Sequence, residues 1–217
     1  DDLAVRLRAG YAADGDPPPV IFAGSSRDIF VERDGTDIVT VVQASDSGQT
    51  LQRSRVRKSY GPGAEVVRVL RDAVDAAGIG RGNLEEFERR ALRNGATTFP
   101  DGYVVDGPAR RIITTLVRAS GLRWSVQNGA LQLQEAGAPL QTSAPVLEAA
   151  TGLVGTPTRG ERGKVAAQVL IQPGLEPGRR VVLRSDEIEG SYEIRQSVLR
   201  GATAGTEWYA ILDLAPL

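Results

Sequence analysis

The hydrophobic pattern of this chain changes period twice. Over the first 60 residues it alternates. LAVRLRAGY sets Leu3, Val5 and Leu7 against Ala4, Arg6 and Arg8, the period of a half-buried strand. DGDPPP (Asp14–Pro19) interrupts it, because proline has no place in a paired central strand. VIFAGSSRDIFVER and IVTVVQA follow as partner strands around Asp34-Gly35, a two-residue hairpin signal. RSRVRKSY (Arg53–Tyr60) reads as one more strand of this antiparallel meander, with a basic outer face.

Beyond Tyr60 the period becomes helical. Val66, Val67, Leu70 and Val74 recur at helical spacing, with Pro62 near the start and Gly78 just past the end. Residues 79–95 read as a loop with a short helix at LEEFERRAL. A second helix has Asp106 as N-cap, Pro108 in its first turn, Ile112, Ile113, Leu116 and Val117 on its buried face, and Gly121 as its stop. LRWSVQNGALQLQ is a hairpin on Asn128-Gly129, residues that accept the positive φ of a type I′ turn. EAGAPLQTSAP (Glu135–Pro145) is linker-like.

From Lys164 the alternation returns in KVAAQVLI, RRVVLRS, GSYEIRQSVLR and EWYAILDL, spaced as in a small barrel or sandwich. Two Pro-Gly pairs, Pro173-Gly174 and Pro177-Gly178, suit type II turns. The expected class is β-rich α+β, with two small antiparallel β-barrel-like domains flanking a small α/β unit. The first barrel covers 1–60. The α/β domain, with two helices and a hairpin, covers 61–140. A linker and the second barrel cover 141–217.

Composition narrows the chemistry. The 217 residues include no cysteine, which removes disulfide and thiol chemistry, and no histidine, the commonest general base and metal ligand. A net charge of −1 argues against a polyanion-binding chain as a whole. No apolar run is long enough to span a membrane. With neither a signal peptide nor an initiator Met, the chain is expected to be processed or to begin inside a longer protein.

Each candidate site has a plainer reading. Asp46 in ASDSGQT (Ala44–Thr50) stands in an Asp-Ser-Gly triplet like that of aspartic proteases, whose second copy would have to come from a homodimer; a polar turn after a strand is the stronger reading. GIGRGN (Gly78–Asn83) follows a helix where a phosphate loop needs a preceding strand, so it reads as a flexible connector. Arg53–Tyr60 and Ala109–Arg111 are the basic clusters; a solvated face is the bland reading, a match to an acidic partner or a channel wall the middle one. Asp186, Glu187 and Glu189 lack calcium-loop spacing and suit a hairpin loop. Ser25 and Ser26 have no nucleophile elbow and no histidine, and nothing supports pairing either with Lys58 or Lys164. No catalytic, cofactor-binding or metal-binding residue is assigned, and no cofactor is expected.

The C-terminal third carries a resemblance. Thr151–Pro157 is similar to a TGLIGxP-type segment, Gln172–Ser185 to an (N/Q)PxLxPGxxVxLxS strand-turn-strand, Gly190–Ile194 to a GxYxV strand, and Trp208-Tyr209 to a closing Trp-Tyr strand. In this order they resemble the end of the tail-tube baseplate hub proteins of tailed bacteriophages. VRLRAGY, VIFAGSSRDIFVERDGTDIVTVVQASDSG and VRKSYGPGAEVVRVLRDA look like the first barrel and following helix of such hubs, whose polar turn at the position of Asp46 is not catalytic. The chain departs from the family in lacking a His and a GDTRG-like loop before Trp208, and in lacking the strands that usually precede VRLRAGY, so the first barrel is expected to be incomplete at its N-terminus.

The resemblance implies a structural virion protein and not an enzyme. It implies a homotrimeric ring at the tail tip or baseplate, with two barrels per chain giving pseudo-sixfold symmetry. The ring's partners would be the tail tube or distal tail protein, a spike or fibre protein and the tape-measure protein, with DNA only as passing cargo. Assembly would take place in the host bacterial cytoplasm. Contact is expected at the strand edges of both barrels and at the loops Pro173–Gly178 and Gly201–Thr206. The alternatives are a carbohydrate- or peptide-binding β module and, less favoured, a dimeric aspartic protease using Asp46.

Overall fold

The computed structural model describes residues 3–11, 17–46, 50–94, 97–135, 138–140 and 144–217, without the side chains of 91–94. Asp14–Asp16 of the proline-rich break, Ser47 and Gly48 of the Asp-Ser-Gly triplet, and residues 136–137 and 141–143 of the linker lie outside them. The fold is β-rich α+β, in two compact units. One comprises Asp1–Leu7 and Phe22–Ala136, the other Arg8–Ile21 and Gly137–Leu217.

Strands β1 (Ala4–Arg8), β2 (Val20–Asp34) and β3 (Asp37–Ser45) form a three-stranded sheet in that order. β2 and β3 pair antiparallel from Ser25↔Ser45 to Asp34↔Asp37, with Arg27 as a one-residue bulge. The turn between them is displaced by one residue from the sequence expectation. Its central residues are Gly35-Thr36, and Gly35 takes φ 61°. Glycine at the first central position is the type II′ arrangement, so Asp34 is free to end the strand.

The rest of the first unit runs α1 (Thr50–Arg53), β4 (Arg55–Tyr60), β5 (Ala64–Glu65), α2 (Val66–Ala76), α3 (Leu84–Asn94), β6 (Thr98–Phe99), β7 (Tyr103–Pro108), α4 (Ala109–Ala119), β8 (Leu122–Gln127) and β9 (Ala130–Glu135). The two helices sit where the periodicity puts them. Leu70 and Val74 of α2 and Ile112, Ile113, Leu116 and Val117 of α4 are buried in one core with Phe87 of α3 and Leu131 and Leu133 of β9. Gly78 and Gly121 follow them at φ 67° and 71°. β8 and β9 turn on Asn128 and Gly129, at φ 51° and 76°.

β4 does not extend the β1–β3 meander. It pairs antiparallel with β7, placing Arg57 opposite Asp106. Asp106 is therefore a strand residue and not the cap of α4, whose N-cap is Pro108. The reason is local: Val56 and Tyr60 alternate into the α/β core, while Arg57 on the outer face meets Asp106 at 3.2 Å, a cross-strand charge pair. Lys58 Nζ and Tyr60 OH both donate to Asp72 of α2 at 2.7 Å, fastening this strand to the helix.

The second unit is one curled six-stranded sheet, in the order β10 (Val146–Leu147), β13 (Arg180–Arg184), β14 (Glu189–Gly201), β15 (Trp208–Pro216), β12 (Val165–Leu170), β11 (Leu153–Arg159). Every pair is antiparallel except β10–β13. β14 pairs with β13 through Glu189–Glu193 and with β15 through Tyr192–Gly201, and bulges at Arg195. A long strand that changes partners across a bulge bends its sheet. Alternate residues then meet inside, among them Val165, Val169, Val181, Leu183, Ile194, Leu212 and Leu214.

The hydrophobic pattern does not predict β10 and β11. A 3₁₀ turn at Ala149–Thr151 links them: Thr151 Oγ1 accepts from Glu148 N (3.0 Å) and donates to Val146 O (2.6 Å), and Gly152 closes the turn at φ 100°. Pro157 lies in a bulge of β11, on an edge strand where a missing N–H is tolerated. Gly174 and Gly178 take φ 87° and 86°, as type II turns require. Between them Leu175 is 3 % exposed and belongs to the core. The two turns thus deliver one leucine into the sheet's interior.

Two outcomes follow. Leu175→Ala lowers unfolding free energy by about 2–4 kcal/mol, whereas Leu170→Ala, at a site 40 % exposed, costs under about 1 kcal/mol; urea denaturation of both variants measures the contrast. The second concerns Asp72. Partial burial raises its pKa, but hydrogen bonds from Lys58 and Tyr60 and the charges of Lys58 and Arg68 outweigh this and hold the carboxyl below its ordinary value. A depressed carboxylate stabilises the fold above its unfolded pKa near 3.9 and loses that contribution as pH falls through the folded value. Asp72→Asn is therefore expected to cost about 1 kcal/mol at neutral pH, discounted for the exposed lysine, and progressively less below about pH 4. Paired denaturation curves across that range measure it, and a pH-independent difference refutes it.

Candidate functional site

The sequence candidates resolve into structural roles. Asp46 leaves β3 in a turn. Burial pushes its carboxyl up, partly offset by a hydrogen bond from the Asn128 backbone. Asn128 Oδ1 in turn accepts from Ala23 N at 3.1 Å. Asp46 and Ala23 therefore both hold the β8–β9 turn, a local brace for the hairpin tip.

Gly78–Asn83 is not a flexible connector. Gly80 bridges Ala130, and Asn83 grips Leu133 through Nδ2–H to its carbonyl (2.8 Å) and through Oδ1 from its N–H (2.7 Å). The segment completes the outer edge of β9. Gly82 takes φ 52°, and a Cβ there would overlap the Leu131 carbonyl. A pairing across 50 residues leaves no periodic signal, which is why the pattern missed it.

The remaining candidates separate. The charges of Arg53–Tyr60 are partly matched: Arg57 and Arg55 to Asp106 and Lys58 to Asp72. Lys164 lies 3.4 Å from Asp213. Neither lysine is poised against a serine. Ser26 is instead the one buried residue of β1–β3: its Oγ accepts from Leu3 N (3.0 Å) and its N donates to Leu3 O (2.7 Å), clamping β1 to β2. Asp186 and Glu187 lie in the four-residue loop between Arg184 and Glu189, whose ends are tied by Ser185 Oγ, Ile188 N and Ile188 O. Among the described residues no group of three acidic side chains is placed to hold a metal ion. A cavity of about 500 Å³ beside this loop is lined by Glu148, Leu153, Thr156, Arg184, Asp186 and Glu187, with Arg184 3.8 Å from Glu148.

The β1–β3 sheet is different in kind. Opposed residues share a face, so Ile29 and Val42, Val31 and Thr40, and Arg33 and Ile38 line one side, while Phe30 and Val41, and Glu32 and Val39, line the other. Both sides carry exposed apolar residues among the polar ones. Ile29, Val31, Ile38 and Val42 are 45, 64, 71 and 50 % exposed. Contiguous apolar surface of this sort marks a surface that meets another molecule. The alternation identified the strands; nothing in it says whether a face is covered. At the other end of the chain the loop Gly201–Thr206 is exposed, and the Trp208 ring lies 3.0 Å from where a Cβ on Gly201 would stand.

No protein-family model matches the sequence, and no curated protein matches it. Solved structures do. The chain is similar over 91 % of its length to 77 % of the 43 kDa tail protein of prophage MuSo2 from Shewanella oneidensis, with TM-score 0.59 and 9 % identity. It is similar over 90 % of its length to 80 % of a tail protein from Neisseria meningitidis MC58, with TM-score 0.57 and 9 % identity. All of it aligns with 64 % of an Escherichia coli component of the type VI secretion system, described as structurally similar to the T4 bacteriophage tail proteins gp27 and gp5, with TM-score 0.55 and 10 % identity. This chain thus shares the fold of these phage-type tail proteins.

Proposed function

We propose that the protein is a structural, non-enzymatic component of a phage-type tail tip: a hub that forms a homotrimeric ring, joins the tail tube to a central spike or fibre, and surrounds the channel for DNA and the tape-measure protein. In this reading it assembles in the host bacterial cytoplasm and ends in the virion. The β1–β3 sheet and the curled C-terminal sheet supply the ring, and the α/β unit between them decorates it. The loops Pro173–Gly178 and Gly201–Thr206 offer further contacts.

The observation that carries the reading is the uncovered β1–β3 sheet. A sheet with apolar residues on both faces and one buried residue is not stable alone in water. Closed symmetry covers such faces and pairs their edges without leading to open polymerisation. The fold shared with tail proteins supports a tail assembly as the one that does so here. A specific interface buries roughly 1,200–2,000 Å², more than scattered exposed residues supply but within reach of a three-stranded sheet.

The test is assembly. Sedimentation equilibrium of the purified chain is expected to give a trimer, and electron micrographs a ring. Val31→Lys with Ile38→Lys is expected to shift the equilibrium to monomer by about 3 kcal/mol or more per interface while leaving the α/β core folded, as its near-ultraviolet circular dichroism reports. A chain that stays monomeric at high concentration, and whose β1–β3 amides nevertheless exchange as slowly as those of β12 and β15, contradicts the reading.

A further inference from the structure

A groove of about 570 Å³ runs along α4 and β8 in the first unit. One wall is the helix face bearing Arg110, Thr114 and Arg118, spaced i, i+4, i+8 and hence in line. The other wall is five consecutive residues of β8, Leu122–Val126, and Leu51 and Gln52 of α1 also line the groove. Successive strand residues point to opposite faces, so a cavity lined by all five follows the strand's edge rather than one of its faces. Among the described residues no strand pairs with that edge: β8 belongs to a two-stranded sheet with β9, whose own outer edge Gly80 and Asn83 close.

The groove's charge is one-sided. Arg110, Arg118 and Arg123 line it, and no carboxylate does. Arg71, Arg81, Arg89 and Arg90 of this unit are each matched to an Asp or Glu, whereas Arg110 and Arg118, like Arg53 and Arg111, make no ion pair among the described residues. Trp124 is held against the helix by its indole N–H, which donates to Thr114 Oγ1 at 3.1 Å.

We propose that this groove binds an extended, acidic peptide segment of a partner protein, which adds to β8 as a strand and places carboxylates on Arg110 and Arg118. Strand addition supplies backbone hydrogen bonds, and the arginines select the side chains. Arg110 and Arg118 lie about 12 Å apart along the helix, which an extended chain spans in about four residues. The recognised segment therefore carries acidic residues about four apart, on one face. A single-stranded nucleic acid fits less well. It has nothing to offer a strand edge, and the site holds one aromatic ring, already fixed, where stacking needs several. The proposal does not depend on what larger assembly the chain joins.

Fluorescence anisotropy with a labelled peptide of β-prone residues carrying two Glu four apart tests it, beside the same peptide with Gln and an oligothymidylate of equal length. The Glu peptide is expected to bind about tenfold more tightly than the Gln peptide and the oligonucleotide. Arg110→Glu with Arg118→Glu is expected to remove that preference, and Arg159→Glu, on an exposed strand of the second unit, to leave it intact. Should the double Glu variant fold poorly by circular dichroism, Arg110→Gln with Arg118→Gln serves in its place. Hydrogen exchange is expected to slow at β8 amides on peptide addition and to be unchanged at β9. Equal binding of the Glu and Gln peptides, tighter binding of the oligonucleotide, no binding of the Glu peptide, or no slowing at β8 overturns the proposal.

Discussion

A β-sheet has two faces and two edges, and each must meet something other than open water or be made polar. Most of this chain can be understood as three answers to that constraint. In the second unit the sheet curls so that its inner face is its own core, helped by the partner exchange along β14. In the α/β part the short ladders β4–β7 and β8–β9 are covered by α2, α3 and α4. In β1–β3 apolar residues on both faces stay exposed, and the proposed assembly is what would cover them.

Side chains and turns do work that extra strands would do in a larger protein. Asn83 imitates one residue of a neighbouring strand, using an amide to satisfy both backbone groups of Leu133. Ser26 does something similar for Leu3. The twin Pro-Gly turns insert Leu175 into the core without a strand of their own. Each device depends on a close approach or a positive φ, so each is vulnerable to a single substitution in a way that the alternating strands are not.

Much of the architecture is legible in the sequence because it is local. The faces of α2 and α4, the glycines that end them, the Asn128-Gly129 turn and the strands from Val165 onward follow from spacing within a dozen residues. What is not legible depends on distance. Arg57 and Asp106 stand 49 residues apart, and without that partner a basic strand reads as the continuation of the preceding meander. Val146–Leu147 is too short to show a period, and Leu153–Arg159 is broken by Gly155 and Pro157. The same limit applies to the candidate site. Alternation identifies Ile29, Val31, Ile38 and Val42 as apolar, but only three dimensions reveal that nothing within their unit lies over them.

The clamp at Ser26 has a consequence for how the exposed sheet behaves in time. It anchors β1 at one end of β2, while among the described residues the hairpin beyond Ser26 is held by its own ladder. A partner that bound the ordered hairpin and not the frayed one would add stability there in proportion to the logarithm of its concentration. If the sheet assembles as proposed, the order of these residues would rise and fall with the abundance of their neighbours, and so would report whether assembly has taken place.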